Sequence, residues 1–217
     1  MSAFAESIRT AVDLIAGVDA KLLSVVSLSL AVSGSACLIA ALTGLCGGAW
    51  LAVSKFAGHR LLILLLNTLL ALPPVVVGLA VYLLLSRSGP LGSWGILFTP
   101  TAMVIAQTVL VLPLVMALTR QLVADALRGN GEQLRSMGAG PLASALLVLL
   151  HERMTLVTVL LTAFGRAISE VGAVMIVGGN IDGVTRVMTT SIALETSKGN
   201  LPLAIGLGIL LISLILV

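Results

Sequence analysis

Residues 22–53 read LLSVVSLSLAVSGSACLIAALTGLCGGAWLAV, with no Asp, Glu, Lys or Arg in the run. An uncharged segment of this length is typical of a transmembrane helix. As one α-helix it would be about 48 Å long, which exceeds the hydrocarbon thickness of a bilayer. We therefore expect this helix to tilt, protrude or bend, and its glycines offer places to bend. Ala40, Gly44 and Gly48 form a face of small residues that favours close helix packing.

Four further apolar runs predict the rest of the fold. They are Leu61–Leu85, Thr101–Thr119, Met154–Val177 and Leu201–Val217. Pro73 and Pro74 predict a kink in the second helix, and Pro113 predicts one in the third. The sequence thus predicts an all-α, polytopic transmembrane bundle of about five helices. The last run reaches Val217 without a polar flank, so we expect a polar tail to follow it.

Composition excludes a water-soluble core. The chain is 59% apolar and only 10% charged, with a mean hydropathy of +1.18, whereas soluble domains carry about a quarter charged residues. The net charge is only +3, and the charged residues are dispersed along the chain, which does not indicate nucleic-acid binding. We therefore expect the chain to be surrounded by membrane lipid and to bind no nucleic acid.

The N-terminal segment, residues 1–21, has a different character from the membrane domain, residues 22–217. It contains Glu6, Arg9, Asp13, Asp19 and Lys21, which leaves no uncharged core for a signal peptide. Its apolar residues recur at helical spacing. This pattern predicts a short amphipathic helix on the membrane surface.

The basic residues between the apolar runs predict the orientation. One set of loops holds Lys55, Arg60, Arg120, Arg128, Arg135 and Arg153. The opposite set holds Arg87, Arg186 and Lys198. Because cytoplasmic loops carry the excess of Lys and Arg, the first set is expected inside and the N-terminus outside.

The segment 121–153 is too long for a turn and too polar to span. It predicts two short helices, Ala124–Arg135 and Pro141–Leu150, with breaks supplied by glycines. Those glycines are Gly129, Gly131, Gly138 and Gly140. Two interpretations are open: a solvated loop without a partner, or a coupling helix that inserts into a groove on another subunit.

One spacing within this segment resembles a known signature. Glu132-Gln133-Leu134 is followed by Gly138, and then by Val148 and Leu150. This resembles the loop of binding-protein-dependent ABC importer permeases, which begins Glu-Ala-Ala, continues to a Gly and ends in Ile-x-Leu-Pro. Gln133 and Leu134 stand in place of the alanines, Val148 in place of the isoleucine and His151 in place of the proline. The residues assigned to coupling with an ATPase are Glu132, Gln133, Leu134, Gly138 and Pro141.

Other stretches resemble the molybdate and tungstate branch of that family. They are LPPVVVGL (72–79), SRSGPLG (86–92), FTPTAM (98–103) and FGRAISEVG (164–172). The stretches GGN (178–180), TRVMTT (185–190) and LETSKG (194–199) resemble tungstate permeases in particular. The resemblance covers nearly the whole chain.

The resemblance implies a type I ABC importer permease fold in a prokaryotic plasma (inner) membrane. It implies a homodimeric pore formed with a second copy of this chain, two copies of a cytoplasmic ABC ATPase and an extracytoplasmic oxyanion-binding protein. The chain would then carry no cofactor and catalyse no reaction, because ATP and Mg²⁺ would bind the ATPase. The cargo implied first is tungstate, with molybdate or sulfate as the alternatives.

Two charges lie about halfway along the fourth apolar run. Arg166 and Glu170 are four residues apart, so on one helix they would share a face. Ionised groups at that depth usually face the bundle interior or a water-filled path. They either form a buried ion pair that fixes packing or gate an anion's route. The residues assigned to the path or gate are Arg166, Ser169, Glu170, Asn180, Thr189 and Thr190, the last three in the outer segment Gly178–Gly199.

Several patterns are missing from the sequence. None of the three lysines, Lys21, Lys55 and Lys198, lies in a Gly-x-x-x-x-Gly-Lys-Ser/Thr phosphate loop. His59 and His151 are isolated in the sequence, so we expect no metal site. A passive channel and an intramembrane enzyme remain as alternative classes. A channel has no need of a helix that docks a motor. An intramembrane enzyme would need a nucleophile or a set of metal ligands at membrane depth, and the sequence shows no such companion for Arg166 and Glu170.

Overall fold

The structure, a computed structural model, describes residues 20–216. Within that range it contains nine α-helices, one short 3₁₀ helix at Gly92–Trp94 and no strand. The helices are α1 (Ala20–Val53), α2 (His59–Leu69), α3 (Pro74–Leu85), α4 (Pro100–Ser136), α5 (Pro141–His151), α6 (Arg153–Ile168), α7 (Gly172–Gly178), α8 (Met188–Ser197) and α9 (Leu201–Leu216). The predicted amphipathic helix of residues 1–21 lies almost wholly outside the described residues.

Two of the described helices can cross a membrane unaided. They are α1, with 34 residues, and α4, with 37 residues. The pairs α2–α3 and α5–α6 each qualify as one broken span, which gives up to four spans, and α9 is a shorter apolar helix. The prediction of an all-α polytopic membrane protein is therefore confirmed.

The second and third apolar runs differ from their predicted form. The second run forms two helices, because the chain leaves helical structure before Pro73-Pro74 and restarts with Pro74 as the first residue of α3. The third run keeps Pro113 inside a continuous α4 that extends to Ser136. The prediction of a separate helix at Ala124–Arg135 is therefore wrong, and Gly129 and Gly131 lie within α4 rather than at breaks.

The fourth run and the outer segment also depart from the prediction. A single helix over Met154–Val177 is wrong, because α6 ends at Ile168 and α7 begins only at Gly172. The segment Gly178–Gly199, which the apolar runs leave as a connection between two helices, contains the helix α8. These two differences change which residues of the candidate site lie within helices.

The described chain divides into two compact units. The first comprises residues 20–34, 74–107 and 168–216. Within it α3 packs against α7, and α8 packs against α9. The contact of α3 with α7 is close at Gly78, where an added Cβ would lie 2.7 Å from the Cα of Ala173. Only glycine allows the two backbones to approach this far.

The second unit comprises residues 35–73 and 108–167. Its core includes Ala40, Val115 and Ala163, each fully buried. An added Cβ on Gly44 would lie 2.9 Å from Cγ1 of Val115, and one on Gly48 would lie 2.6 Å from the carbonyl oxygen of Met116. The predicted small-residue face of the first helix is thus confirmed as a packing face against α4.

Candidate coupling surface and polar path

The turn between α4 and α5 is a defined helix cap. The N–H of Ala139 donates to the carbonyl of Leu134 at 3.0 Å, and the N–H of Gly138 donates to the carbonyl of Arg135 at 2.9 Å. Gly138 has φ of +83°. This pair of bonds, closed by a left-handed residue, is a Schellman motif. The predicted break at Gly138 is therefore confirmed, and its physical reason is the conformation that glycine adopts without strain.

The other residues predicted to couple to an ATPase lie on both sides of that cap. We call residues 132–141 the coupling turn, after this prediction. Glu132 and Gln133 are exposed in the last turn of α4. Leu134 packs against a buried cluster, so its role includes packing. Pro141 is the first residue of α5, a position where its missing N–H has no helical partner to lose. Met137, which sequence analysis overlooked, is 77% exposed at the tip.

Helix α5 has one buried face and one exposed face. Ala145 and Val148 belong to a buried cluster with Ala49 and Val123, which fixes α5 against α1 and α4 within the second unit. The opposite face carries exposed leucines at every fourth position. These are Leu142, Leu146 and Leu150. Because the buried face of α5 is packed in this way, the coupling turn is attached to a firmly packed helix. The chain then bends by 79° at the junction of α5 and α6.

Glu170 lies in the interruption between α6 and α7 and is 5% exposed. Its Oε1 accepts a hydrogen bond from the N–H of Ala173 at 3.2 Å, in the first turn of α7, where negative charge is stabilising. Its carbonyl accepts a hydrogen bond from the Thr189 hydroxyl at 2.9 Å. Because α6 has already ended, the premise that Arg166 and Glu170 share one helical face is wrong. Arg166 and Ser169 are exposed.

Thr190 stabilises the start of α8. Its fully buried hydroxyl accepts a hydrogen bond from the N–H of Val187 at 3.0 Å and donates to the carbonyl of Val187 at 3.0 Å. The first of these bonds is one half of a capping box. A Thr-rich sequence therefore begins a helix here, although it lacks the hydrophobic periodicity that would reveal one.

Asn180 organises the turn between α7 and α8. It has φ of +51°, a conformation that asparagine tolerates better than most residues. The Arg186 guanidinium donates to the Asn180 side-chain oxygen at 3.4 Å and to its carbonyl at 3.3 Å. The same guanidinium pairs with Asp182 at 2.9 Å. Asn180 thus positions the Arg186 guanidinium, which in turn pairs with Asp182 in the same turn.

The first unit contains further buried polar groups that sequence analysis overlooked. The Ser29 hydroxyl accepts a hydrogen bond from the N–H of Met188 at 2.8 Å. Ser33 and Gln107 are buried, and the Ser191 hydroxyl is buried with no hydrogen-bond partner among residues 20–216. The only available signal was the four-residue spacing of Ser29 and Ser33 within an apolar run. Hydroxyl and amide groups of this kind suit weak contacts with an oxyanion.

Charges at the C-terminal end of helix α8 are already paired. Lys198 donates to the Glu195 carboxylate at 2.8 Å, and this bond lowers the pKa of Glu195 from its ordinary value. Among the described residues, no group of three or more His, Cys, Asp or Glu side chains is placed to hold a metal ion.

Comparison with known proteins finds similarity along nearly the full chain, although no family model matches. The chain is 44% identical over 214 residues to the tungstate uptake system permease protein of Peptoclostridium acidaminophilum, covering 98% of this chain and 93% of that protein. It is 41% identical over 200 residues to a probable anion ABC transporter permease protein of Haloferax volcanii, covering 90% and 86%. A second tungstate uptake permease, from Campylobacter jejuni, is 40% identical over 158 residues, covering 73% and 66%. Permeases named for sulfate and molybdenum transport are more distant, at 35% and 30% identity.

Proposed function

Because this chain belongs to the family of ABC transporter permeases that includes the tungstate uptake permeases, we propose that it is the membrane subunit of an importer that carries tungstate into the cytoplasm. The observation that carries the proposal is the 44% identity to a tungstate uptake permease over 98% of the chain. The more distant similarity to sulfate and molybdenum permeases makes molybdate and sulfate the competing cargoes.

The coupling turn is the surface through which ATP hydrolysis acts on this chain. Two cytoplasmic ABC ATPase subunits bind ATP and Mg²⁺, and each receives the coupling turn of one copy of the permease. Glu132 and Gln133 are exposed for this contact, while the Schellman cap keeps the turn rigid. A rigid turn on a packed α5 transmits motion of the ATPase as a rigid-body movement. The turn is cytoplasmic and the N-terminus lies outside.

The path for the anion follows the interruption between α6 and α7. Backbone that leaves helical structure within an apolar run is tolerated where it is buried in protein or lines a water-filled cavity. Residues 169–171 are such a segment, and interrupted helices at mid-membrane commonly build transporter sites. Ser169, Glu170 and Thr189 belong to this region, with Asn180 and Thr190 organising its outer side. Arg166 gates the anion at the end of α6.

The complete transporter contains two copies of this chain about a two-fold axis, the commonest oligomer symmetry. An extracytoplasmic binding protein delivers the oxyanion at the outer face. The pore binds it weakly, because tight binding would slow its release. We place the assembly in a prokaryotic plasma (inner) membrane.

The direct test is ATP-dependent tungstate uptake into vesicles that carry this chain with its ATPase and binding protein. We expect uptake, competition by molybdate that is weaker than self-competition by tungstate, and still weaker competition by sulfate. No uptake of any of the three oxyanions by an assembled complex with active ATPase would contradict the proposed cargo. Ion conductance through the chain without ATP would instead favour a passive channel, and substrate turnover by the chain alone would favour an intramembrane enzyme.

A further inference from the structure

A basic groove has the coupling turn as one of its walls, through Arg135, Ala139 and Pro141. It lies entirely within the second unit, between the end of α1, the last turns of α4 and the start of α5, and has a volume of about 590 Å³. Three cationic side chains line it, those of Lys55, Arg128 and Arg135. Its apolar wall includes Val53 and Leu127. The groove therefore combines a cationic rim with an apolar surface, as the boundary between headgroup and acyl chain requires.

Aromatic residues indicate that the α1 end of the groove lies at the membrane interface. Trp50 and Phe56 are 47% and 42% exposed, and their rings stack with centroids 5.7 Å apart. Phe56 also contacts His59 edge to face at 5.5 Å. Exposed aromatic rings at the end of a spanning helix mark the level of the lipid headgroups. Val53 and Lys55 lie between these aromatic residues in the chain, so the α1 end of the groove lies at that level.

The cations of the groove have little internal compensation. Arg128 pairs with Asp125 at 3.1 Å. Lys55 and Arg135 form no ion pair within residues 20–216. On α4, Arg120 precedes the groove-lining residues by one turn on the same face, and its Nε atom is buried without a hydrogen-bond partner in the described part of the chain. Lys55 and Arg135 are thus positive charges without a carboxylate partner in the described part of the chain, and such charges favour an anionic ligand.

We propose that this groove binds the phosphate of an anionic phospholipid, with phosphatidylglycerol as the representative headgroup. Basic pockets between transmembrane helices on the cytoplasmic side bind such headgroups. Lys55 and Arg135 contact the phosphate, and the apolar wall contacts the glycerol end of the acyl chains. Because Arg135 also supplies a carbonyl to the Schellman cap, a bound lipid braces the coupling turn. The inference concerns lipid and does not depend on the identity of the cargo.

The test uses the full chain, purified in an uncharged detergent and freed of lipid, with dioctanoyl phosphatidylglycerol as the probe and dioctanoyl phosphatidylcholine as its neutral counterpart. Native mass spectrometry measures the bound fraction of each lipid. The test variant is the double change Lys55→Gln with Arg135→Gln. The matched control is Arg60→Gln with Arg153→Gln, which removes the same charge from residues of the same predicted loops that do not line the groove.

We expect phosphatidylglycerol to bind more tightly than phosphatidylcholine. Each basic residue near a membrane surface contributes about five-fold in affinity, so the test variant should weaken phosphatidylglycerol binding by roughly 25-fold. The control should change it by less than about two-fold, because surface charges outside the groove are screened by salt. Thermal unfolding of all variants verifies that they retain the fold.

Three outcomes would overturn the proposal. Equal binding of the two lipids, or an equal loss in the control variant, would mean that lipid associates without a site. Displacement of the lipid by micromolar-scale inorganic tungstate would mean that the groove selects a free oxyanion. Unchanged lipid binding combined with loss of ATPase association in the test variant would mean that the groove is a protein-docking surface.

Discussion

Replacement of Gly138 by alanine tests whether the geometry of the coupling turn matters for transport. An added Cβ at this position meets no heavy atom within 4 Å, so the substitution causes no clash, but Gly138 has φ of +83°. A residue with a side chain in that conformation costs about 1–2 kcal/mol. The population of the native turn relative to its alternatives should therefore fall by about 5- to 30-fold. A β-branched residue should be worse, since its side chain is more restricted.

The assay is ATP-dependent tungstate uptake, divided by the amount of assembled complex in the vesicles. Gly129→Ala is the matched control, because Gly129 lies inside α4 with no heavy atom within 4 Å of an added Cβ and no positive φ. Alanine there should stabilise the helix by roughly 0.5–1 kcal/mol and preserve uptake. Gly138→Asn should retain more uptake than Gly138→Val, because asparagine tolerates the left-handed region. The reasoning is refuted if Gly138→Val transports normally or if Gly129→Ala is equally harmful.

Three further substitutions address packing, capping and gating. Gly78→Ala should destabilise the protein by about 1–3 kcal/mol through overpacking and lower its melting temperature, whereas Gly34→Ala, with nothing within 4 Å of the added Cβ, should not. Thr190→Val leaves a buried N–H without its partner and should lower the free energy of unfolding by about 1–3 kcal/mol, measured by thermal unfolding against Thr190→Ser. A separate variant changes both Thr189 and Thr190 to Val. Wild-type uptake by that variant would count against their role in the path. Arg166→Ala should abolish uptake while assembly and ATPase activity persist, and loss of assembly alone would favour an ion pair that serves packing.

The positions of the membrane helices could be predicted because they depend on composition over long windows. Their interruptions could be predicted only where a residue enforces them locally. Pro73-Pro74 and Gly138 do so through a missing N–H and a left-handed φ. Residues 169–171 contain neither proline nor glycine; there the Glu170 carboxylate caps the following helix, and that contact is invisible in a single sequence.

The residues of the candidate site could likewise be proposed from the sequence only where they lie close together in the chain. The residues predicted for coupling share one short segment, so a single spacing pattern could propose them together. The buried hydroxyls lie far apart in the chain, and Ser29 meets the start of α8 only after folding. Pro113 lies within the continuous helix α4, and the kink expected there stays a prediction.

The break between α2 and α3 bears on how this segment enters the lipid during biosynthesis. Helix α2 has 11 residues and α3 has 12, so each is about half the length needed to cross the hydrocarbon. The N–H groups of Leu70, Ala71 and Leu72 each donate to a carbonyl three residues earlier, at 3.2, 3.0 and 3.3 Å, and the two prolines that follow have no N–H. No amide hydrogen from residue 70 to residue 74 is therefore left to be solvated. The amide donors of this break therefore add no desolvation cost of their own when the segment passes from the translocon into the bilayer.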